Sequence, residues 1–233
     1  MSNEAAPHAV VTGSSGGIGR AIAAHLLEGG WRVTGLDLAA PTLSHANFAH
    51  VTVDLSNTED IARHAAALQH TDALVHAAGV LRVGPLGQLD HAGGELMWRL
   101  HVDAATRLAD TLVPAMAARG RGRVVFIGSR VAQGLPGRGQ YAATKAAVIA
   151  LARSWAAEVA TSGVTVNVVS PGATQTAMLQ DPARAGSAPR LPPIGRLIEP
   201  TEIAALVAFL LSAPAAAITG QDIAICGGSS LHR

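Results

Sequence analysis

The segment HAVVTGSSGGIG, residues 8–19, predicts how this chain of 233 residues folds. The apolar run 8–12 has the composition of a β-strand, and the glycine-rich turn after it leads into an amphipathic helix. Backbone N–H groups and the helix dipole at such a turn face any bound anion, and glycine lets a pyrophosphate come close. The glycines at positions 13, 17 and 19 therefore predict a dinucleotide site, with a tight turn that binds nothing as the alternative.

Strand-like and helix-like segments alternate along the whole chain, which is typical of a parallel sheet covered by helices on both faces. The sequence predicts strands at 8–12, 31–36, 48–53, 72–77, 124–128, 164–169 and 222–226. It predicts helices near 18–28, 57–68, 94–118, 141–161 and 201–211. This pattern indicates an α/β fold: a single doubly wound (Rossmann-type) domain over residues 1–233, with about seven strands and a substrate lid at about 173–193.

Composition and charge narrow the range of functions. Hydrophobic residues make up 49% of the chain and charged residues 14%, which indicates a well-buried core, and the net charge of +1 gives no reason to expect nucleic acid or a membrane surface as partner. Glu4 and Pro7 precede any apolar run, which argues against a signal peptide, and the run 203–211 is far shorter than the ~20 residues that span a bilayer. The single cysteine, Cys226, suits a reducing compartment, and the ten histidines show no metal-binding spacing. We therefore predict a cytoplasmic protein without a metal site.

The stretch YAATK, residues 141–145, carries the candidate chemistry. Tyr141 is the only tyrosine of the chain and Lys145 the only lysine. Positions i and i+4 of a helix lie on one face, and an ammonium beside a phenol, whose ordinary pKa is near ~10, lowers that pKa. We therefore predict that Tyr141 is a general acid/base assisted by Lys145.

Two acidic residues follow predicted strands. Asp37 follows the second strand, where a carboxylate accepts hydrogen bonds from both hydroxyls of an adenosine ribose and repels a 2′-phosphate. No arginine or lysine lies within several residues after it, so the sequence favours NAD over NADP as cofactor. Asp54 follows the third strand and either reaches the adenine edge or is a solvated acid.

Four motifs occur together in an order and spacing that resemble the short-chain dehydrogenase/reductase family. They are TGSSGGIG at 12–19, Ser129, YAATK at 141–145 and SPGATQT at 170–176, and the resemblance covers essentially the whole chain. Within this family the stretches 72–82, 167–172 and 218–229 look most like the 2,3-dihydro-2,3-dihydroxybenzoate dehydrogenases.

The resemblance implies roles for individual residues. Tyr141 would exchange the proton of the alcohol, Lys145 would hold the nicotinamide ribose, and Ser129 would hydrogen-bond the reacting oxygen. It also implies a homotetramer, or a homodimer, and a small-molecule substrate. The implied cofactor-binding residues are Gly13, Ser15, Gly17, Ile18, Gly19, Asp37, Asp54, Leu55, Ala77, Ala78, Gly79, Tyr141, Lys145, Pro171, Gly172, Thr174 and Thr176.

The chain departs from the family pattern at two positions. The family usually has Asn-Ala-Ala-Gly after the fourth strand, whereas this chain has histidine at the first position, His76. The family also usually has an asparagine on the long fourth helix that helps carry protons from the lysine to water, and the matching residue is His101. Histidine can relay a proton because its ordinary pKa is near ~6.5. His101 is thus either a fourth catalytic residue or a packing residue.

The substrate is specified least well. Arg130 and Arg138 flank the predicted pocket, where they either hold a carboxylate or lie at the surface, and the arginines of 119–123 form either an acyl-carrier docking patch or a solvated turn. The sequence favours an NAD-dependent oxidoreductase that acts on the secondary alcohol or ketone of a small cyclic substrate. The alternatives are a 3-oxoacyl-thioester reductase that uses NADPH, and a dinucleotide-binding sensor that has lost catalysis.

Overall fold

The computed structural model describes residues 6–180 and 191–231. Within these residues the strands are β1 (His8–Thr12), β2 (Arg32–Asp37), β3 (Phe48–Thr52), β4 (Ala73–His76), β5 (Gly122–Ile127), β6 (Val164–Pro171) and β7 (Asp222–Ile225). The α-helices are α1 (Gly17–Glu28), α2 (Thr58–Ala65), α3 (His91–Trp98), α4 (Ala104–Ala118), α5 (Gly139–Val159) and α6 (Pro200–Leu211).

The strands form one parallel sheet in the order β3-β2-β1-β4-β5-β6-β7. The chain first runs outward to β3 and then returns to place β4 on the other side of β1. Ligands of such sheets bind beyond the carboxyl ends of the strands, at the point where the strand order reverses. Thr12, the last residue of β1, pairs with Leu36 on one side and His76 on the other, which puts this reversal beside the glycine-rich turn.

Apolar side chains alternate between the two faces of the sheet and define two helical layers. Val10 of β1 belongs to a cluster with α2, α4 and α5, whereas Ala9 and Val11 belong to a cluster with α1 and α6. The fold is therefore the predicted doubly wound α/β sheet of seven strands with helices on both faces.

The long helix predicted at 94–118 is divided in the structure. It consists of α3, a π-helical turn (Arg99–Asp103) and α4, which begins at Ala104. The N–H of Ala104 donates to the carbonyl of Arg99, five residues earlier, which is the hydrogen bond of a π turn. The spacing of apolar residues does not reveal this turn, and His101 lies within it.

The lid predicted at about 173–193 lies only partly within the described residues. Strand β6 extends to Pro171, two residues past its predicted end, and a short helix follows (Ala177–Gln180). Thr174 forms an isolated parallel bridge with Ile198. Residues 181–190 lie outside the described part of the chain, so the lid stays a prediction.

His76 connects β1, β4 and the π turn through a buried hydrogen-bond network. The N–H groups of Ala77 and Ala78 both donate to the hydroxyl oxygen of Thr12 at 3.0 Å. That hydroxyl then donates to Nδ1 of His76 at 3.0 Å, and Nε2–H of His76 donates to the carbonyl of Leu100 at 2.9 Å. Burial, followed by the nearby charge of Lys145, lowers the pKa of His76 from 6.5 to about 4.

We predict that His76 makes the fold sensitive to mild acid. Because its folded-state pKa lies below its unfolded value, the stability that its neutral ring contributes is present above pH 6.5 and is lost as the pH falls toward 4. Between pH 7 and pH 5 the free energy of unfolding should fall by roughly 2 kcal/mol more in the wild type than in His76→Asn. Urea denaturation of both proteins at several pH values measures this difference, and parallel curves would contradict it.

Candidate active site

A cavity of about 820 Å³ opens at the carboxyl edge of the sheet. All four predicted catalytic residues line it: Ser129, Tyr141, Lys145 and His101. Besides Tyr141 and Lys145, seven further residues of the predicted cofactor-binding set line it, namely Ile18, Ala77, Gly79, Pro171, Gly172, Thr174 and Thr176. The structure thus brings together residues that lie more than a hundred positions apart in the sequence.

Lys145 is a buried cation at the floor of this cavity. Its Nζ donates to the carbonyl of Ile127, at the end of β5, at 2.8 Å, and lies 5.8 Å from the centre of the Tyr141 ring. Burial disfavours the charged form and lowers the pKa of Lys145 from 10.5 to about 8. The ammonium is therefore still the main form at neutral pH, fixed one helical turn after the phenol.

Ser129 lies just beyond β5, next to that carbonyl. Its side chain is buried, and its hydroxyl oxygen accepts a hydrogen bond from the N–H of Val131 at 3.2 Å. Gly128 lets β5 and β6 approach here, because a Cβ at this position would lie 2.6 Å from the Ser170 hydroxyl. Ser129 is thus held at the rim of the cavity on a rigid strand end.

The glycine-rich turn has the shape of a cradle for a dinucleotide. A Cβ on Gly13 would lie 2.9 Å from the backbone of Ala78, and one on Gly19 would lie 2.2 Å from the carbonyl oxygen of Gly13. Gly17 adopts a positive φ of 51° next to the methyl group of Thr176. The N-cap residue of α1 is Gly16, which has no side chain to cap the first turn, and the N-terminus of a helix is suited to bind a phosphate. These features fit the predicted cofactor.

Asp37 is oriented by the backbone around it. One carboxylate oxygen accepts the N–H of Ser15 at 2.8 Å and the other accepts the N–H of Ala39 at 2.9 Å. A carboxylate has about four acceptor sites, so each oxygen keeps capacity for one ribose hydroxyl.

Asp54 and Leu55 stand apart from the cavity. The carboxylate of Asp54 accepts hydrogen bonds from the backbone and hydroxyl of Ser56, at 2.8 and 2.7 Å, and Leu55 is buried in the core beside Leu36. Asp37, Ser15, Ala78 and the three glycines of the turn also lie outside the cavity lining. The contact of Asp54 favours its structural alternative, and the cofactor role of both residues stays a prediction.

Two residues that support the site were not singled out from the sequence. The hydroxyl of Thr12 accepts hydrogen bonds from the N–H groups of Ala77 and Ala78, and that of Thr144 accepts one from His101. Both occur inside quoted motifs, at the threonine of TGSSGGIG and at that of YAATK. Their position inside these motifs could have indicated that they matter. Their hydrogen-bond partners, however, lie far away in the sequence and could not be predicted from it.

The arginines of 119–123 have partners in the structure. Arg119 donates to the carbonyls of Gln69, at 2.8 Å, and of Thr71. Arg123 donates to the carbonyls of Gly122 and Gly163, and Arg121 pairs with Asp72 at 3.4 Å. These contacts stabilise turns at the amino edge of the sheet, away from the cavity, and favour the structural alternative over a docking patch.

Neither a metal-binding cluster nor a membrane-spanning helix occurs in the described part of the chain. Residues 6–180 and 191–231 contain no cluster of three or more His, Cys, Asp or Glu side chains that could hold a metal ion. No helix within these ranges is long and apolar enough to cross a membrane.

Comparison with known proteins agrees with this geometry. A sequence model of a family described as Enoyl-(Acyl carrier protein) reductase matches residues 13–230. The chain is 36% identical to a 3-oxoacyl-[acyl-carrier-protein] reductase of Vibrio cholerae, over 94% of this chain and 96% of the relative. It is 37% identical to the 2,3-dihydro-2,3-dihydroxybenzoate dehydrogenase of Escherichia coli, over 95% of this chain and 96% of the relative.

Solved structures show the same relationship. A short chain dehydrogenase/reductase family protein superimposes with a TM-score of 0.90 at 34% identity, over 97% of this chain and 98% of the other. An actinorhodin polyketide ketoreductase, solved with NADPH, has a TM-score of 0.87 at 26% identity over the full length of both chains.

The fold and the cavity at its carboxyl edge define an NAD(P)-dependent oxidoreductase that acts on CH–OH groups. The chain belongs to the short-chain dehydrogenase/reductase family.

We predict that alanine in place of Gly16 leaves NADH binding intact, whereas alanine in place of Gly19 weakens it. Gly19→Ala should weaken NADH binding by at least about 100-fold, because its Cβ would meet the carbonyl of Gly13 and force the turn apart. Gly16 has extended backbone, and no atom lies within 4 Å of the position that a Cβ would take there, so Gly16→Ala should bind within about threefold of the wild type. Fluorescence titration with NADH measures both, and equal losses would contradict the prediction.

Proposed function

We propose that this protein transfers a hydride between NAD(H) and the secondary alcohol or ketone of a small cyclic substrate, in the manner of a 2,3-dihydro-2,3-dihydroxybenzoate dehydrogenase. The observation that supports the proposal most is the convergence of Ser129, Tyr141 and Lys145 on one cavity next to the glycine-rich turn. These are the groups that an alcohol oxidation requires: a base, a fixed cation beside it and a donor for the reacting oxygen.

Each of these residues has a distinct task in the proposed reaction. The bound cofactor supplies the hydride chemistry, and the protein supplies orientation and electrostatics. Tyr141 takes the proton of the alcohol during oxidation and returns it during reduction. Lys145 favours the phenolate and holds the nicotinamide ribose, while Ser129 donates to the oxygen on which charge develops. Pro171, Gly172, Thr174 and Thr176 line the same cavity, and in the proposed reaction they bind the nicotinamide.

The environment of Asp37 supports NAD as the cofactor. The backbone N–H groups of Ser15 and Ala39 fix its two oxygens, which in the proposal accept hydrogen bonds from the adenosine ribose. Residues 38–47 contain no lysine or arginine that would neutralise a 2′-phosphate. A phosphate there would meet an uncompensated carboxylate, which is unfavourable for NADP.

The cofactor preference should depend on this one carboxylate. We expect kcat/KM to be at least about 100-fold higher with NAD⁺ than with NADP⁺, because the hydrogen bond from the 2′-hydroxyl to the carboxylate is replaced by a like-charge contact with the 2′-phosphate. Asp37→Ala should reduce this preference to below about tenfold. Asp110→Ala, which removes an exposed carboxylate of α4, is the control and should keep the preference. A preference that survives Asp37→Ala would contradict the assignment.

The charge of the cavity supports an anionic substrate. Its described lining includes three cationic side chains, Arg130, Arg138 and Lys145, and no aspartate or glutamate. Apolar side chains such as Val131 and Leu135 make up much of the remaining wall. A small ring with a carboxylate fits this combination, because arginine binds carboxylates well and an apolar wall buries a ring.

The second candidate is a 3-oxoacyl-thioester reductase that uses NADPH. It is favoured by the relatives, since the acyl-carrier-protein reductases match this chain as well as the dihydroxybenzoate dehydrogenase does. Asp37 argues against this candidate, because NADPH carries a 2′-phosphate that the carboxylate of Asp37 would repel. The third candidate is a dinucleotide-binding sensor without catalysis. It is supported by His76 and His101, which stand where the family usually has asparagine.

The test is a substrate panel assayed with wild type and Tyr141→Phe. Cyclic and acyclic secondary alcohols, with and without a carboxylate and including 2,3-dihydro-2,3-dihydroxybenzoate, are offered with NAD⁺ and NADP⁺, and a 3-oxoacyl thioester is offered with NADPH. We expect turnover of a carboxylated cyclic alcohol with NAD⁺, and a loss of about 10³-fold in kcat in Tyr141→Phe.

The other outcomes separate the candidates. Preferred turnover of the thioester with NADPH would replace the proposal by the second candidate. NADH binding without turnover of any compound would support the sensor, and turnover that survives Tyr141→Phe would overturn the assignment of the base.

We further propose a cytoplasmic homotetramer, or a homodimer, as the working form. Ala143, Ala146 and Ala150 form an exposed small-residue face on α5, which permits a close contact between helices. The oligomeric state follows mostly from the family, and sedimentation equilibrium tests it.

A further inference from the structure

His101 has a defined partner at each ring nitrogen. The backbone N–H of Val80 donates to Nε2 at 3.2 Å, so this nitrogen carries no hydrogen. In a neutral ring the hydrogen is then on Nδ1, which donates to the Thr144 hydroxyl oxygen at 2.8 Å. The Thr144 hydroxyl in turn donates to the carbonyl of Tyr141 at 2.9 Å. The three bonds form one continuous chain from the segment after β4 to the candidate base.

The ring of His101 also contacts Tyr141 directly. The two rings meet edge to face, with centres 5.6 Å apart and planes at 87°. On its other side the ring rests on Gly79, where a Cβ would lie 2.6 Å from Nε2. The imidazole is only 1% exposed, so its position is fixed by packing as well as by hydrogen bonds.

The π turn that carries His101 is fixed independently by the second unusual histidine. Nε2–H of His76 donates to the carbonyl of Leu100, the residue before His101. The backbone of the turn is therefore bound to the sheet through His76, while the side chain of His101 extends toward α5. The two histidines that replace asparagines act on the same turn from opposite sides.

We propose that His101 is a positioning residue, which holds Tyr141 through Thr144 and takes up no proton during turnover. A proton on Nε2 would place a donor against the N–H of Val80 and break that hydrogen bond. The proposal rests on the role of Tyr141 as the base, and it assigns the transfer of protons to Tyr141 and Lys145.

The electrostatic surroundings agree with this geometry. Burial, then the charge of Lys145 and the neighbouring His76, lower the pKa of His101 well below 6.5. Tyr141, Lys145 and His76 are the titratable groups that face the ring or lie close to it. A proton carrier would have to accept a proton at Nε2, either as an imidazolium next to a buried cation or by a change of tautomer that takes the acceptor away from the N–H of Val80.

The sole tyrosine of the chain makes the proposal directly measurable. Protein labelled with ¹³C at the ζ carbon of tyrosine gives one resonance, that of Tyr141, which is followed from pH 5.5 to 10.5. Thr144→Val removes the hydroxyl and keeps the side-chain shape, and it should split the resonance or move its titration midpoint by about half a pH unit. Thr144→Ser should restore the wild-type resonance.

The control variant is Ser154→Ala. Ser154 donates to the carbonyl of Ala150 on the exposed side of α5, so this variant removes a comparable hydroxyl that does not contact Tyr141. It should leave the Tyr141 resonance unchanged. If Thr144→Val also leaves the resonance and its titration unchanged, the bridge does not position Tyr141 and the proposal is overturned.

A second readout separates positioning from proton transfer. A titration step of the Tyr141 resonance between pH 5.5 and 7.5 that disappears in His101→Gln would show that His101 changes charge, which also overturns the proposal. With an alcohol that the wild type oxidises, Thr144→Val should lower kcat by about 10-fold to 100-fold and keep KM for NAD⁺ within about threefold. Turnover that survives Tyr141→Phe would instead refute the underlying role of Tyr141.

Discussion

The buried ammonium of Lys145 is the interaction on which the rest of the site depends. It donates to the carbonyl of Ile127 and so attaches α5 to the end of β5, within reach of Tyr141 and Ser129. A cation is unfavourable in such a place, which is why the pKa of this lysine falls to about 8. The two buried histidines near the ammonium are therefore held in their neutral form, and the carbonyl of Ile127 supplies a dipole to it.

This constraint explains why two asparagine positions can hold histidine. A neutral imidazole offers one N–H donor and one acceptor nitrogen, which is the same pairing that an amide side chain offers. Both rings have a partner at each nitrogen, and burial together with the charge of Lys145 lowers the pKa of both. The larger ring of His101 fits because residue 79 is glycine. Each buried histidine thus has its hydrogen-bonding groups satisfied in the neutral form.

Much of the fold and the shape of the glycine-rich turn could be predicted from local sequence patterns. Alternation of apolar runs predicted seven strands, and the glycines at 13 and 19 predicted a turn in which a Cβ would meet the backbone. The π turn was missed because one inserted residue barely changes a helical pattern of apolar residues. The sequence also left the contacts of Asp54 open, because a carboxylate after a strand can bind either a ligand or a nearby residue; in the structure Oδ1 accepts both hydrogen bonds from Ser56.

The sequence by itself determined the order of strands and helices and the residue types available for chemistry, since both follow from periodicity and short spacings. Only the tertiary structure decided what those residues contact. Thr12 meets His76 across 64 positions, and His101 meets Thr144 across 43. The first pair forms because β1 and β4 are neighbours that end at one edge of the sheet, and the second forms because the π turn packs against α5. A buried polar group then takes the partner that packing leaves within reach, and no local pattern encodes that choice.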